Sequence, residues 1–393
     1  MISLQEAKNR IQKNAKGFKR KECVRMHQGV GRVLAKNLYA TDNQPNFTNA
    51  AMDGYALRCK DTPGRFEIQK MQFAGDAFCK LEVKKAIEIA TGAPLPKGAN
   101  AVVPQEDVVV NNGRVVISQK IILGKNIRTQ GENIRKGEKI FSKGHGVCAK
   151  DLGLLASFGF GKIPVFQKPR VSYLATGNEI ISVGEKKEAH QIFNSNAVSL
   201  RGLFEKAGCV FQDFGIRKDV HSLLSKKVQA MLDQKPDFLV LTGGVSVGQK
   251  DYVAFVLKDL GAKILFHKVR IKPGKPILCA SWGRTLIFGL PGNPLAAQVG
   301  FYQFILPAIT KMLHVQNRPF ISKAKLLKPI AQQKRHLFLP AKMFEALGGV
   351  CVDPIEESSG SVKALSCGNC LISIPQGSGA LKKNTWVEIQ PYD

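Results

Sequence analysis

The chain has 393 residues, more than one hydrophobic core usually organises, and an ordinary apolar fraction of 44%, so two to four domains are expected. No run approaches the 18 apolar residues of a spanning helix, and the first eight residues, Met1-Ile-Ser-Leu-Gln-Glu-Ala-Lys8, lack a signal-peptide core, which predicts a cytoplasmic protein without a membrane partner. With 58 Lys and Arg against 30 Asp and Glu the formal charge is +28, a field that draws polyanions, but the lysines are evenly scattered and no RNP, zinc-finger or basic-zipper signature selects a nucleic acid.

Taken in chain order, Leu4, Ala7, Ile11 and Ala15 recur at helical spacing and predict an amphipathic helix over 4–15, with a second helix near 30–35. Beyond Asn43 short β-branched runs at 86–90, 101–103 and 108–110, broken by glycine and proline, describe a β-rich module to about residue 140. A helical stretch follows at 149–158 before Pro164 and Pro169. From Arg170 strands and helices alternate: strands at 171–175, 210–216, 238–241 and 263–269, helices at 196–207, 220–232 and 252–260. That rhythm predicts a doubly wound parallel α/β sheet, with the loops after Ala175, Leu241 and Val269 on one rim, where such sheets bind ligands. Pro291-Gly-Asn-Pro294 reads as a turn into a helix over 295–313, with Asn293 placed to cap it and Pro294 at its first position. After Pro319 short strands at 350–352, 371–374 and 386–389 predict a C-terminal β domain. The nine cysteines are odd in number and widely spaced, as expected of reduced thiols, and the close pair Cys367 and Cys370 lacks the further ligands of a zinc site.

Several strings share an order and spacing. They are Asn49-Ala-Ala-Met-Asp53-Gly-Tyr-Ala56, Thr91-Gly-Ala-Pro-Leu-Pro96, Gly131-Glu-Asn-Ile-Arg135 and Thr176-Gly-Asn-Glu179. Then come Gly243-Gly-Val-Ser-Val-Gly248 with Asp251, Lys272-Pro-Gly-Lys-Pro276 and Gly289-Leu-Pro-Gly-Asn-Pro294. Together they cover most of the chain, and their pattern resembles the MoeA family, which is related to the gephyrin E domain. The resemblance implies four parts: a helical linker and dimerisation domain from 1–45 and 141–168, a β-rich domain at 46–140, a molybdopterin-binding α/β domain at 169–316, and a C-terminal β domain at 317–393. It implies a homodimeric molybdopterin molybdenumtransferase that inserts molybdenum from molybdate into adenylyl-molybdopterin and releases AMP. A molybdopterin adenylyltransferase and apo-molybdoenzymes would be its pathway partners.

The residue chemistry is compatible with that reading. Gly243 and Gly244 after a strand let the backbone approach an oxyanion, and Ser246 adds a hydroxyl, although glycine there also serves as plain turn punctuation. Lys268, Lys272 and Lys275 lie within eight residues, and Pro273 and Gly274 prevent a regular helix, so several ammonium groups can face one anion. The resemblance assigns Lys268 and Lys272, with Lys275 as a further member, to the molybdate or phosphate side, and extends substrate binding to Thr91, Thr176, Pro291 and Asn293. It gives Asp53, Glu179 and Asp251 catalytic roles, with Glu179 and Asp251 as ligands of Mg²⁺, a cation that needs few carboxylates when phosphate oxygens complete its shell. Asp53 would act across the dimer, together with Thr91. Two positions depart from the family pattern, since Gly137-Glu-Lys139 and Lys218-Asp219 carry lysine where an aspartate is common. Two rivals stay open: pterin adenylylation by a related α/β domain, and a scaffold of the same fold that has lost its chemistry.

Overall fold

The computed structural model describes residues 1–245, 252–315, 322–346, 349–355 and 360–392. The chain forms two compact units, one of Met1–Ala35, Gly144–Cys148 and Lys162–Asp393, the other of Lys36–Lys143 with Ala149–Gly161. No helix among the described residues is long and apolar enough to cross a membrane.

The first helix, α1 (Leu4–Asn14), is capped by Ser3, whose hydroxyl accepts from the Glu6 N–H, and it buries Ala7 and Ile11. The helix expected near 30–35 does not form. Gly31 takes a left-handed turn (φ 76°) and Val33 and Leu34 enter β-bridges with Gly146 and Val165, so backbone pairing with distant segments overrides a short local pattern.

The Lys36–Lys143 unit is built on a six-stranded sheet, with β1 (Gly54–Leu57), β2 (Gly64–Gln72), β3 (Lys85–Ile89), β4 (Ala101–Pro104), β5 (Val109–Asn111) and β6 (Arg114–Ile117) in the order β4-β1-β3-β2-β6-β5. Its central β1 is buried throughout, and a Cβ on Gly54 would stand 2.0 Å from the Val103 carbonyl oxygen, so only glycine fits between these strands. The helix α2 (Ala149–Ser157) belongs to the same unit.

In the other unit the α/β domain holds β7 (Arg170–Thr176), α3 (Ser195–Lys206), β8 (Val210–Arg217), α4 (His221–Asp233), β9 (Phe238–Thr242), α5 (Tyr252–Asp259), β10 (Lys263–His267), β11 (Leu278–Trp282) and β12 (Thr285–Leu290). The sheet order is β8-β7-β9-β12-β11-β10. The first four strands in this order are parallel, as expected of a doubly wound sheet, and β11 runs antiparallel to both β12 and β10, which adds an antiparallel edge. The physical reason is the short excursion between β10 and β11, which is too short for a helical crossover and returns the chain antiparallel. Strands β9 and β12 are buried at every position, as for central strands covered on both faces.

A helical run of three segments follows: α6 (Pro294–Gly300), a π-helical segment Phe301–Ile305, and α7 (Leu306–Met312). The C-terminal part comprises β13 (Ser322–Leu326), β14 (His336–Ala346), β15 (Gly349–Pro354), β16 (Cys370–Ile374) and β17 (Trp386–Pro391). These pair in the order β14-β15-β13-β17-β16, and β16 returns to β14, closing a small barrel around Ala324, Leu326, Val352, Ile372 and Ile389.

Candidate active site

The register across the α/β sheet aligns one rim. Ala175 pairs with Thr242, Thr242 with Leu290, Gly289 with Leu278, and Leu278 with His267. The ends of β7, β9, β12 and β10 and the start of β11 therefore lie along one rim, as the alternation of strands and helices implied.

At that rim a cleft of about 400 Å³ is lined by Thr176, Glu179, Asn194, Ser195, Asn196, Thr242, Gly243, Gly292 and Asn293, with Gly360 and Val362 closing one side. A buried network fixes its floor. The Tyr173 hydroxyl meets Thr242 Oγ1 at 2.6 Å and donates to Asn194 Oδ1 at 3.2 Å, and that same oxygen caps α3 by accepting from the Ala197 N–H. Burial pushes the Tyr173 phenol well above its ordinary range, so it stays neutral and acts as a strut. Asn196 donates to the Gly292 carbonyl at 2.7 Å and ties α3 to the turn before α6. The N-termini of α3 and of the longer run begun by α6 thus open on one cleft, where their amides and dipoles favour an anion.

Gly243 (φ 86°) and Gly244 (φ 61°) pass beside Thr176 so closely that a Cβ on Gly243 would stand 2.1 Å from the Thr176 carbonyl oxygen. The Gly243 N–H is committed to Leu290 O at 3.1 Å, so it belongs to the rim's own bonding. Thr176 Oγ1 and Asn196 Oδ1 are buried without a hydrogen-bond partner among the described residues. Buried polar atoms are nearly always satisfied, so two orphans in one cleft point to a polar ligand. Glu179 is exposed, with its carboxylate folded back over Gly177.

Of the other expected residues among those described, Asn293 alone lines the cleft. Ser246 and Asp251 are outside the described residues. Pro291 is buried behind the cleft lining, and Asn293 caps α6 through its backbone, with no side-chain bond to the helix amides. Lys268 follows β10, three strand spacings or about 14 Å from β9 along the rim. Lys272 pairs with Leu337 of the barrel, and Lys272 and Lys275 are both exposed. None of the three lysines lines the cleft around Thr176. In the other unit Asp53 and Thr91 form a pair, in which the Thr91 N–H and hydroxyl donate to Asp53 Oδ1 at 2.6 and 2.8 Å and hold its carboxyl below the usual range. Lys139 and Lys218 are both exposed.

Three family models match the chain in succession: the MoeA N-terminal region (domain I and II) over residues 2–159, a probable molybdopterin binding domain over 173–311, and the MoeA C-terminal region (domain IV) over 323–392. The chain belongs to the MoeA family. It is 31% identical to the molybdopterin molybdenumtransferase of Staphylococcus epidermidis, an alignment covering 99% of this chain and 95% of that one. With the molybdopterin molybdenumtransferase of Haemophilus influenzae it shares 33% identity over 79% of this chain and 78% of the relative. A crystal structure of the molybdopterin biosynthesis MoeA protein from Pyrococcus horikoshii OT3 superposes with a TM-score of 0.87 at 29% identity, covering 100% of both chains.

Membership in MoeA draws attention to residues that sequence reasoning passed over. Asn194, Asn196 and Thr242 line the cleft, and Asp219 Oδ1 reaches 3.7 Å from where a Cβ on Gly244 would sit. The Asn194-Ser-Asn196 string that opens α3 was a readable cap signal, but nothing local said that the cap faces a ligand. Among the described residues no three His, Cys, Asp or Glu groups form a metal cage. The cleft instead offers oxygen donors, Glu179 and the orphaned Thr176 hydroxyl with Asp219 at the Gly244 edge. That set fits a hard cation that arrives with phosphate oxygens, not one held wholly by protein.

Proposed function

We propose that this chain is a molybdopterin molybdenumtransferase that takes adenylyl-molybdopterin and molybdate as substrates and releases AMP. The observation that carries the reading is the buried Thr176 hydroxyl, which has no hydrogen-bond partner among the described residues, in a cleft where two helix N-termini converge. Such a cleft suits the nucleotide phosphate of the substrate. Cleaving the phosphoanhydride develops negative charge on phosphate oxygens, and preorganised amide dipoles and hydroxyl donors stabilise it without reorganising. The Thr176 hydroxyl and the amides at the start of α3 hold and orient the phosphate, and Tyr173 keeps Asn194 and Thr242 in place behind them. Mg²⁺ would be held by Glu179 and Asp251 and would neutralise phosphate charge. Lys268, Lys272 and Lys275 would supply a cationic approach for molybdate from outside the Thr176 cleft.

The assembly we propose is a cytoplasmic homodimer of 43.0 kDa chains, with a molybdopterin adenylyltransferase upstream and apo-molybdoenzymes downstream. The test is AMP release from adenylylated pterin with and without molybdate. Molybdate-dependent release supports the reading. Transfer of AMP from ATP to molybdopterin would assign the adenylyltransferase role instead, and no release at all would leave a scaffold.

A further inference from the structure

A second cavity of the α/β-containing unit lies at the opposite end of the sheet. It measures about 520 Å³ and is lined by residues at the starts of β7, β9 and β12 and the end of β11, with Phe18 to Arg20 and Met312 completing it. A β-strand rises about 3.3 Å per residue, so the length of β7 puts it roughly 20 Å from the Thr176 cleft. Open α/β sheets bind their main ligand at the other rim, so this cavity is not an extension of that site.

Its composition is unusual even for a basic chain. Five of the twelve lining residues are Lys or Arg (Lys19, Arg20, Arg170, Lys235 and Arg284), against 58 in 393 for the whole sequence. The only carboxylate, Asp237, is already matched, pairing with the Arg20 guanidinium and accepting from the Arg170 N–H at 2.8 Å. Arg170 and Arg284 each spend one donor on a carbonyl, of Lys235 at 2.8 Å and of Gly17 at 3.1 Å. A guanidinium has five donors, so these bonds fix its direction and leave others for a ligand. Among the described residues neither Lys19 nor Lys235 meets a carboxylate, and both are exposed.

Below this cationic rim the floor is apolar. Phe18, Pro236 and Met312 are buried, and Trp282 forms a half-buried wall whose indole N–H is anchored on Leu260 O at 3.2 Å. The Arg20 guanidinium stacks over Phe18 at 4.7 Å from the ring centroid. Flat apolar walls beneath a ring of cations match a ligand with a planar base and a dianionic head, in a volume typical of small-molecule sites. We propose that this cavity is a second ligand site, separate from the Thr176 cleft, that takes a nucleoside monophosphate.

Tryptophan makes the test specific. The chain has two tryptophans, Trp282 in this cavity and Trp386 on the barrel, and none lines the Thr176 cleft. In full-length Trp386→Phe protein the fluorescence therefore reports Trp282 alone, whatever happens at the proposed catalytic cleft. AMP is expected to change it saturably, adenosine to bind at least about tenfold more weakly, and inorganic phosphate to compete, since a charge-assisted bond contributes enough for a tenfold difference. Adding Lys19→Glu and Lys235→Glu, which breaks no side-chain bond among the described residues, is expected to weaken AMP by at least about tenfold at an unchanged melting temperature. No saturable response to millimolar AMP overturns the proposal, as does adenosine binding as well as AMP. So does an unaltered response in the charge-reversed protein, which would leave the cations as partners of the α4 C-terminus. Loss of AMP release with this response intact would instead fault the catalytic reading.

Discussion

Replacing Gly243 by alanine tests the architecture of the cleft directly. Two costs combine. At φ 86° an L-residue is strained by roughly 1–2 kcal/mol. The new Cβ would also stand 2.1 Å from the Thr176 carbonyl oxygen, which must retreat by about an ångström, and overpacking of that kind costs about 1–3 kcal/mol. The sum is about 2–5 kcal/mol, concentrated where β7 meets β9. Gly184 is the control, since it has φ 91° but nothing within 4 Å of its would-be Cβ, so Gly184→Ala incurs the backbone strain alone, about 1–2 kcal/mol. Hydrogen exchange by mass spectrometry on peptides spanning 170–176 and 238–245 reads the local free energy. Gly243→Ala should speed exchange in both peptides and abolish AMP release, while Gly184→Ala leaves both near wild type. If Gly243→Ala exchanges no faster than the control and keeps full AMP release, the close passage of this turn beneath Thr176 is not what shapes the site.

Further outcomes follow from other contacts. Thr176→Val removes a buried hydroxyl that has no partner among the described residues, so stability should hold or rise slightly while calorimetry shows AMP binding at the cleft weakened by roughly tenfold. Equal AMP affinity would mean that the hydroxyl does not meet the ligand. Thr91→Val removes one of the two bonds holding the Asp53 carboxyl low, so its NMR titration should move upward toward the ordinary aspartate value. Because the folded value is the depressed one, the Asp53 contribution is present above the unfolded pKa and is lost as pH falls through the folded one. In the barrel, burial and the nearby Lys8 push the His336 imidazole from 6.5 down to about 4, and its Nε2 lies 2.9 Å from Ser373 Oγ. Its contribution is complete above pH 6.5 and declines as pH falls toward 4, so His336→Phe should flatten stability over that window in denaturant titrations.

Several elements were legible locally and others were not. Helix α1 and the helices of the α/β domain follow from apolar spacing, because each buries one face against a core that any compact fold would supply. The stretch 30–35 has similar local preferences but pairs with Gly146 and Val165, partners more than a hundred residues away. The lysines from Lys268 to Lys275 are close in sequence, yet one follows β10 and another is drawn to the barrel edge by pairing with Leu337, so they do not meet at the Thr176 cleft.

The linear order of residues was enough to specify the alternation of strands and helices, the family, and the Thr176-Gly-Asn-Glu179 and Gly243-Gly244 turns, because turn chemistry and periodicity are local properties of the chain. Only the tertiary structure decided that β11 runs antiparallel, that the last β strands close into a barrel, and that Asn194, Asn196 and Thr242 join the cleft. It also decided that five cations from four separate stretches of chain surround one cavity at the far rim. Those outcomes depend on strand register and on which buried polar atoms find partners, and both are fixed by contacts between residues far apart in sequence, where spacing along the chain carries no information.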